Sequence, residues 1–214
     1  GSYTLPLLPT LRTYLISAHM DANENDGMER WEPRGVYAGG PVLLTDNVMD
    51  ADITLDDPDA DTDGFTDYAE LFEHETDPDD GASFPAVLSG EIAYSGGLTG
   101  TLYVTAVDTN DPLHRYSVTL DEPGSYTLPL LPTLHTYAIS AFQDAQRDGQ
   151  GGTGERLRWH AQGEFAGNPL TVTGNTANVD IALDDPDADA DGFTDYAELF
   201  DHETDPDDEK AYPV

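Results

Sequence analysis

Asp59-Ala60-Asp61-Thr62-Asp63-Gly64-Phe65-Thr66-Asp67-Tyr68-Ala69-Glu70 recurs at Asp187 to Glu198 with one change, Thr62 becoming Ala190. Counted from its first residue, each copy carries carboxylates at positions 1, 3, 5, 9 and 12, glycine at 6 and phenylalanine at 7. Alternating aspartates in a tight turn aim their carboxylates at one centre. Gly64 permits the bend that brings the Phe65 carbonyl inward, and Glu70, one turn into a following helix, can reach back with both oxygens. A hard cation accepting about six to eight oxygens at flexible distances suits such a cage better than magnesium with its strict octahedron. Zinc is disfavoured, since the chain has no cysteine. The expected cofactor is Ca2+. Its expected ligands are Asp59, Asp61, Asp63, Phe65 (through C=O), Asp67 and Glu70 in one copy, and Asp187, Asp189, Asp191, Phe193, Asp195 and Glu198 in the other.

This is the ligand spacing of an EF-hand calcium loop, but the flanks supply only half of that motif. A helix leaves each loop, Thr66 to His74 and Thr194 to His202, with Tyr68, Leu71 and Phe72 as a narrow apolar stripe. A strand, Asp52-Ile-Thr-Leu55, enters it. Two further stretches have partial loop spacing. Asp144, Gln146, Asp148 and Glu155 occupy positions 1, 3, 5 and 12 around Gly149. Asp21, Asn23, Asn25 and Glu32 do the same, with Asp26 in the glycine position. Both are weaker metal candidates, and a polar loop between two strands is the competing reading.

Acid is concentrated around the loops. The formal charge is −35, and 24 of the 43 acidic residues lie in Asp56–Asp80 and Asp184–Asp208. Such a balance repels nucleic acid and anionic lipid, so neither is an expected partner. The apolar runs are too short for a membrane span. With no disulfides, stability must come from packing and metal.

A long internal repeat organises the rest. Gly1 to Leu11 recurs at Gly124 to Leu134, and Asp52 to Asp80 returns at Asp180 to Asp208, the offset growing from 123 to 128. Between the loops, Glu91–Tyr94, Thr101–Val107, Arg115–Leu120, Ser125–Leu130, Thr136–Phe142 and Asn178–Leu183 are short and rich in β-branched and aromatic residues. Turn signals at Gly96-Gly97, Asp111-Pro112, Pro123-Gly124 and Gly174-Asn175 separate them. The expected fold is mainly β: tandem Ig-like or prealbumin-like sandwiches joined by short, helix-containing calcium-binding linkers. The expected segments are a partial sandwich at 1–56, a linker at 57–80, a complete sandwich at 81–183, a second linker at 184–208 and the start of a further repeat at 209–214. The partial sandwich lacks the counterpart of Glu91–Leu120, so it should show fewer strands and more exposed apolar area.

The run Asp-Pro-Asp-x-Asp-x-Asp-Gly-Phe-Thr-Asp-Tyr-x-Glu-Leu-Phe followed by Thr76-Asp77-Pro78 resembles the bacterial thrombospondin type 3 repeat. That resemblance implies calcium-binding connectors in secreted and surface proteins, and an acidic tail, here Asp77 and Asp79, that helps hold a second ion. Long arrays of consecutive type 3 repeats are absent; each loop stands alone. Gly124-Ser-Tyr-Thr-Leu-Pro with Thr136 to Asp144 resembles carboxypeptidase-regulatory-like or Cna-B-like sandwiches. The Lys–Asn crosslink common in Cna-B domains is excluded within either sandwich, because Lys210 in the tail is the only lysine. Dockerins use the same loop, but as two neighbouring copies in one small domain.

Three function classes follow. The first is an extracellular, cell-surface structural or adhesive protein, a calcium-stiffened tandem-repeat rod or filament whose partners are other copies of the repeat. The second is a non-catalytic accessory module of a secreted enzyme. The third is glycan binding through Trp31 and Trp159, which occupy equivalent positions. Enzymatic activity is not expected: His19, His74, His114, His135, His160 and His202 are scattered and fall in no nucleophile or zinc motif.

Overall fold

Short segments in which β-branched and aromatic residues alternate with polar ones form the strands of this mainly β protein, twelve among the described residues. The computed structural model describes residues 1–145 and 159–211. Gln146, Asp148 and Glu155 of the Asp144 loop lie outside them, as do residues 212–214. No helix among the described residues is long and apolar enough to cross a membrane. The chain divides into two units, Gly1–Gly81 and Ala82–Val214, so that each acidic loop belongs with the strands preceding it.

In the first unit, β1 (Arg12–Tyr14) and β2 (Ser17–His19) are separate short strands. β3 (Arg34–Val36) pairs antiparallel with β2, and β4 (Val42–Leu44) with β1, giving two two-stranded ribbons. Much apolar surface stays open: Tyr3, Leu5, Leu11 and Leu15 are each more than half exposed. The loop Asp59–Glu70 then leads into a short helix α1 (Asp67–Ala69), capped by the Thr66 hydroxyl, which accepts the Ala69 N–H at 3.2 Å. The helix continues as a π-helical turn, Glu70–His74, and ends on Glu75 in the left-handed conformation at φ 57°. The sequence reading of one α-helix over Thr66–His74 is thus refined. The wide turn lets the Glu70 carbonyl receive the Thr76 N–H at 3.1 Å and brings Thr76 under the Glu70 side chain.

The second unit holds β5 (Pro85–Tyr94), β6 (Thr101–Asp108), β7 (Arg115–Leu120) and β8 (Ser125–Pro132). They are followed by β9 (Thr136–Asp144), β10 (Gln162–Glu164), β11 (Leu170–Thr171) and β12 (Ile181–Leu183). One sheet runs β10-β9-β6-β7 with β11 also on β9; the other runs β12-β5-β8, with β12 parallel to β5. Alternation sends Leu102, Val104 and Ala106 of β6 into a core shared with Leu88 and Ile92 of β5, Tyr126 and Leu128 of β8, and Ile139 of β9. Each fully buried leucine or isoleucine contributes about 1.5–3 kcal/mol relative to exposure. β10 and β11 carry little sequence signal; they form because β9 offers an edge to pair with, Gln162 opposite Phe142 and Leu170 opposite Tyr137. A second π-helical turn, Ala197–His202, follows the loop Asp187–Glu198.

Candidate metal centre

Each aspartate at positions 1, 3 and 5 of the first loop uses its side chain to hold the loop backbone. Asp59 accepts the N–H groups of Thr62 (2.8 Å) and Gly64 (3.2 Å), Asp61 accepts that of Asp63 (3.2 Å), and Asp63 that of Phe65 (2.8 Å). These bonds force a tight spiral, in which Thr62 (φ 64°) and Gly64 (φ 101°) take left-handed conformations. The second loop repeats the pattern: Asp187 holds Gly192, Asp189 holds Asp191, and Asp191 holds Phe193, with Ala190 at φ 61° and Gly192 at φ 99°.

The spiral leaves one carboxylate oxygen of several residues aimed inward. Asp61 Oδ2, Asp63 Oδ2 and Glu70 Oε2 are buried and accept no hydrogen bond, and so are Asp189 Oδ2, Asp191 Oδ2 and Glu198 Oε2. Carboxylate oxygens of Asp59, Asp61 and Asp63 lie within 4.8 Å of one another, as do those of Asp187, Asp189 and Asp191. Glu70 and Glu198 are fully buried. Their other oxygen accepts a threonine hydroxyl, Thr76 at 3.1 Å and Thr204 at 3.2 Å. Buried acceptors without donors are costly unless something positive meets them. Burial, together with the charges of Asp63, Asp61 and Asp67, pushes the Glu70 carboxyl up to about 7 against the weaker pull of Thr76. Glu198, Asp61 and Asp189 are raised for the same reason, desolvation first and neighbouring aspartates after it. An all-oxygen cage of clustered carboxylates fits a divalent cation.

Position 9 is placed differently. Asp67 is buried, with Oδ1 accepting the Ala60 N–H at 2.8 Å and Oδ2 facing Arg30 Nε at 3.4 Å. Asp195 likewise accepts the Ala188 N–H, at 2.7 Å. Position 9 therefore pins the loop entrance to the helix start. Asp79, expected to help with a second ion, has its charge met by the Arg30 guanidinium at 2.5 and 2.8 Å, which holds its carboxyl below the usual range. Asp77 accepts the Asp79 N–H at 3.0 Å.

In the weaker loop, Asp21 accepts the N–H groups of Asn25 (3.1 Å) and Asp26 (2.8 Å), Asn23 accepts Asn25 (3.2 Å), and Asn25 accepts Gly27 (2.7 Å). Glu24 and Asp26 take φ 58° and 62°, so aspartate fills the glycine position in a conformation it tolerates better than most residues. Glu32 is fully buried but uses both oxygens on backbone donors, Ala22 N–H at 2.7 Å and Glu29 N–H at 3.1 Å. That differs from Glu70, which keeps one oxygen without a donor. Of the candidate ligands in the Asp144 loop, Asp144 alone lies among the described residues, buried at the end of β9 with His160 Nε2 3.9 Å away. No family model matches this chain, and no curated protein or solved structure matches it significantly.

Sequence reasoning missed Arg30, Thr76 and Thr204. Thr76 lies six residues beyond Glu70, and only the left-handed Glu75 folds it back. Trp31 packs on Tyr68 and Phe72 at centroid distances of 5.5 and 5.2 Å. Trp159 packs on Phe200 at 5.8 Å. In both copies the loop phenylalanine meets the histidine of the last helical turn edge-on, Phe65 with His74 and Phe193 with His202, each at 5.7 Å.

Proposed function

We propose that this chain is a calcium-stabilised structural or adhesive protein of the extracellular surface. In this reading β-sandwiches are joined in tandem by linkers that calcium stiffens into a rod or filament. The observation that carries it is the set of three buried carboxylate oxygens without donors in each loop, from Asp61, Asp63 and Glu70 and from Asp189, Asp191 and Glu198. A chain of net charge −35 that places such oxygens together needs counter-charge at those points. Bound calcium would be held by Asp59, Asp61, Asp63 and Glu70, and by Asp187, Asp189, Asp191 and Glu198, and it supplies the charge that the desolvated carboxylates lack. Extracellular calcium modules bind at about 10⁻⁴–10⁻³ M. Free ion at about a hundredfold excess over its dissociation constant adds about 2.7 kcal/mol of stability.

The test is calorimetric titration of the apo chain with calcium. Glu70→Gln and Glu198→Gln should each abolish or strongly weaken one site while leaving the other. Full stoichiometry and affinity in the double variant would refute the assignment. Small-angle scattering of the same samples checks the stiffening: the maximum dimension should be longer and better defined with calcium than with EGTA.

A further inference from the structure

We propose that the open apolar face of the first unit is a receptor for a three-strand segment of the β5–β7 type, supplied by a further copy of that segment. Gly1–Leu11 and Gly124–Leu134 have the same sequence, yet three of the apolar side chains that are buried in the second copy are exposed in the first. Tyr126 is 3% exposed and Leu128 and Leu131 are fully buried, whereas Tyr3, Leu5 and Leu8 are 52%, 54% and 36% exposed. The cause in the second unit is β5, which sets Leu88 opposite Leu128 and Gly90 opposite Tyr126. β9 is likewise covered along one edge by β6, with Val104 opposite Ala141 and Ala106 opposite Ile139. The corresponding strands β1 and β2 pair only with β4 and β3, the counterparts of β11 and β10; among the described residues nothing pairs on the β6 side. An unpaired strand edge beside an open apolar face is the geometry that accepts added strands.

The receptor is already laid out as it is in the filled unit. Tyr126 donates its hydroxyl to the Val179 carbonyl at 2.5 Å, and Tyr3 donates to the Ala51 carbonyl in the same way. Tyr137 donates to Pro132 O and Tyr14 to Pro9 O, both at 3.0 Å. The isolated bridge Gln162–Asp184 has its equivalent in Arg34–Asp56. What separates the two units is therefore the segment itself, with its fully buried Leu88, Leu102, Val104 and Ala106. The occupant also needs glycine opposite Tyr3: at Gly90 a Cβ would sit 2.2 Å from the Val179 carbonyl, whose counterpart is that of Ala51. An intact second chain cannot supply these strands without emptying its own core, so the donor is a copy of the segment with no competing β8 and β9 of its own.

The proposal does not depend on the cation loops, so its failure leaves the calcium assignment standing. The test is the full chain with residues 82–123 added ahead of Gly1, reproducing the Pro123–Gly124 junction, followed by amide hydrogen exchange. Peptides that extend past Leu11 or Leu134, where the copies differ, distinguish them. The expected result is exchange slowed by roughly tenfold or more across residues 3–8 and 13–18, to the level of residues 126–131 and 136–141. The same addition carrying Leu88→Asp and Val104→Asp in the added copy should give no slowing. Exchange unchanged by the intact segment overturns the proposal, as does equal slowing by the charged one. Self-association of the parent chain that already protects these amides also overturns it, assigning the face to a second whole chain. If the addition aggregates, a peptide of residues 82–123 titrated into the parent chain is read the same way, and absence of protection there counts against the proposal.

Discussion

Asp61 and Asp63 each divide their carboxylate between two tasks. One oxygen holds a backbone N–H two residues on, and the other is left buried inside the turn without a donor. Glu70 likewise gives one oxygen to the Thr76 hydroxyl and keeps the other buried without a donor. Its carboxyl, normally near 4.5, is raised to about 7 in the fold, so the folded apo loop binds a proton more tightly than the unfolded chain does. The sign follows from linkage. Without a divalent cation this group favours the fold at low pH, and that contribution is lost as pH rises from about 4.5 through about 7. Metal binding requires the ionised form, so calcium affinity should fall as pH drops below about 7, with proton release on binding. Titrations in buffers of different ionisation enthalpy should detect released protons at about pH 6 and almost none at about pH 8. Proton release equal at both values would remove Glu70 from the ligand set.

At the level of elements, α1 and its π-helical turn give the loop a helical exit, and Asp67 joins that exit to the loop entrance through Ala60 N–H. Its other oxygen faces Arg30, which also grips Asp79, while Trp31 covers Tyr68 and Phe72. The segment around Arg30 and Trp31 is thus the contact between the ribbon strands and the loop helix within the first unit. Asp67 acts here as a positioning residue. Asp67→Ala removes the acceptor and should weaken calcium at the first loop by roughly 10–100-fold. Asp67→Asn keeps Oδ1 as acceptor and should cost much less. Equal, severe losses in the two variants would instead make Asp67 a direct ligand. Calorimetry separates these outcomes, because the second loop serves as an internal control.

On the scale of the whole molecule, the two units put the same residues to different use. Leu128 is fully buried between β8 and its neighbours, while Leu5, its sequence counterpart, is 54% exposed. Leu128→Ala should destabilise the second unit by about 2–5 kcal/mol. Leu5→Ala should change stability by no more than about 0.5 kcal/mol. Urea unfolding followed by unit-specific amide exchange measures both. A large cost at Leu5 would mean that its face is covered in solution. The net charge of −35 acts on both units, and the gain from calcium should be largest at low ionic strength, where carboxylate repulsion is least screened.

The local structure was legible in the sequence wherever near neighbours define it. The aspartates at alternate positions before Gly64 bond to backbone N–H groups that lie within the same repeated motif, so the turn is a local feature that spacing can signal. Alternation likewise oriented β7, with Tyr116, Val118 and Leu120 inward and Arg115, Ser117 and Thr119 outward, and β12, with Ile181 and Leu183 buried around Ala182. Three features came only from the tertiary structure. Gln162–Glu164 has no strand signal and becomes β10 because β9 presents an edge. Asp67 has the spacing of a ligand, yet it faces Ala60 and Arg30, since the helix start turns its carboxylate toward the loop entrance. The run Gly-Ser-Tyr-Thr-Leu-Pro is a buried strand where β5 lies beside it and an exposed segment where no such strand does. Burial depends on what a residue packs against, and that partner is distant in sequence; identical side chains therefore reach opposite environments.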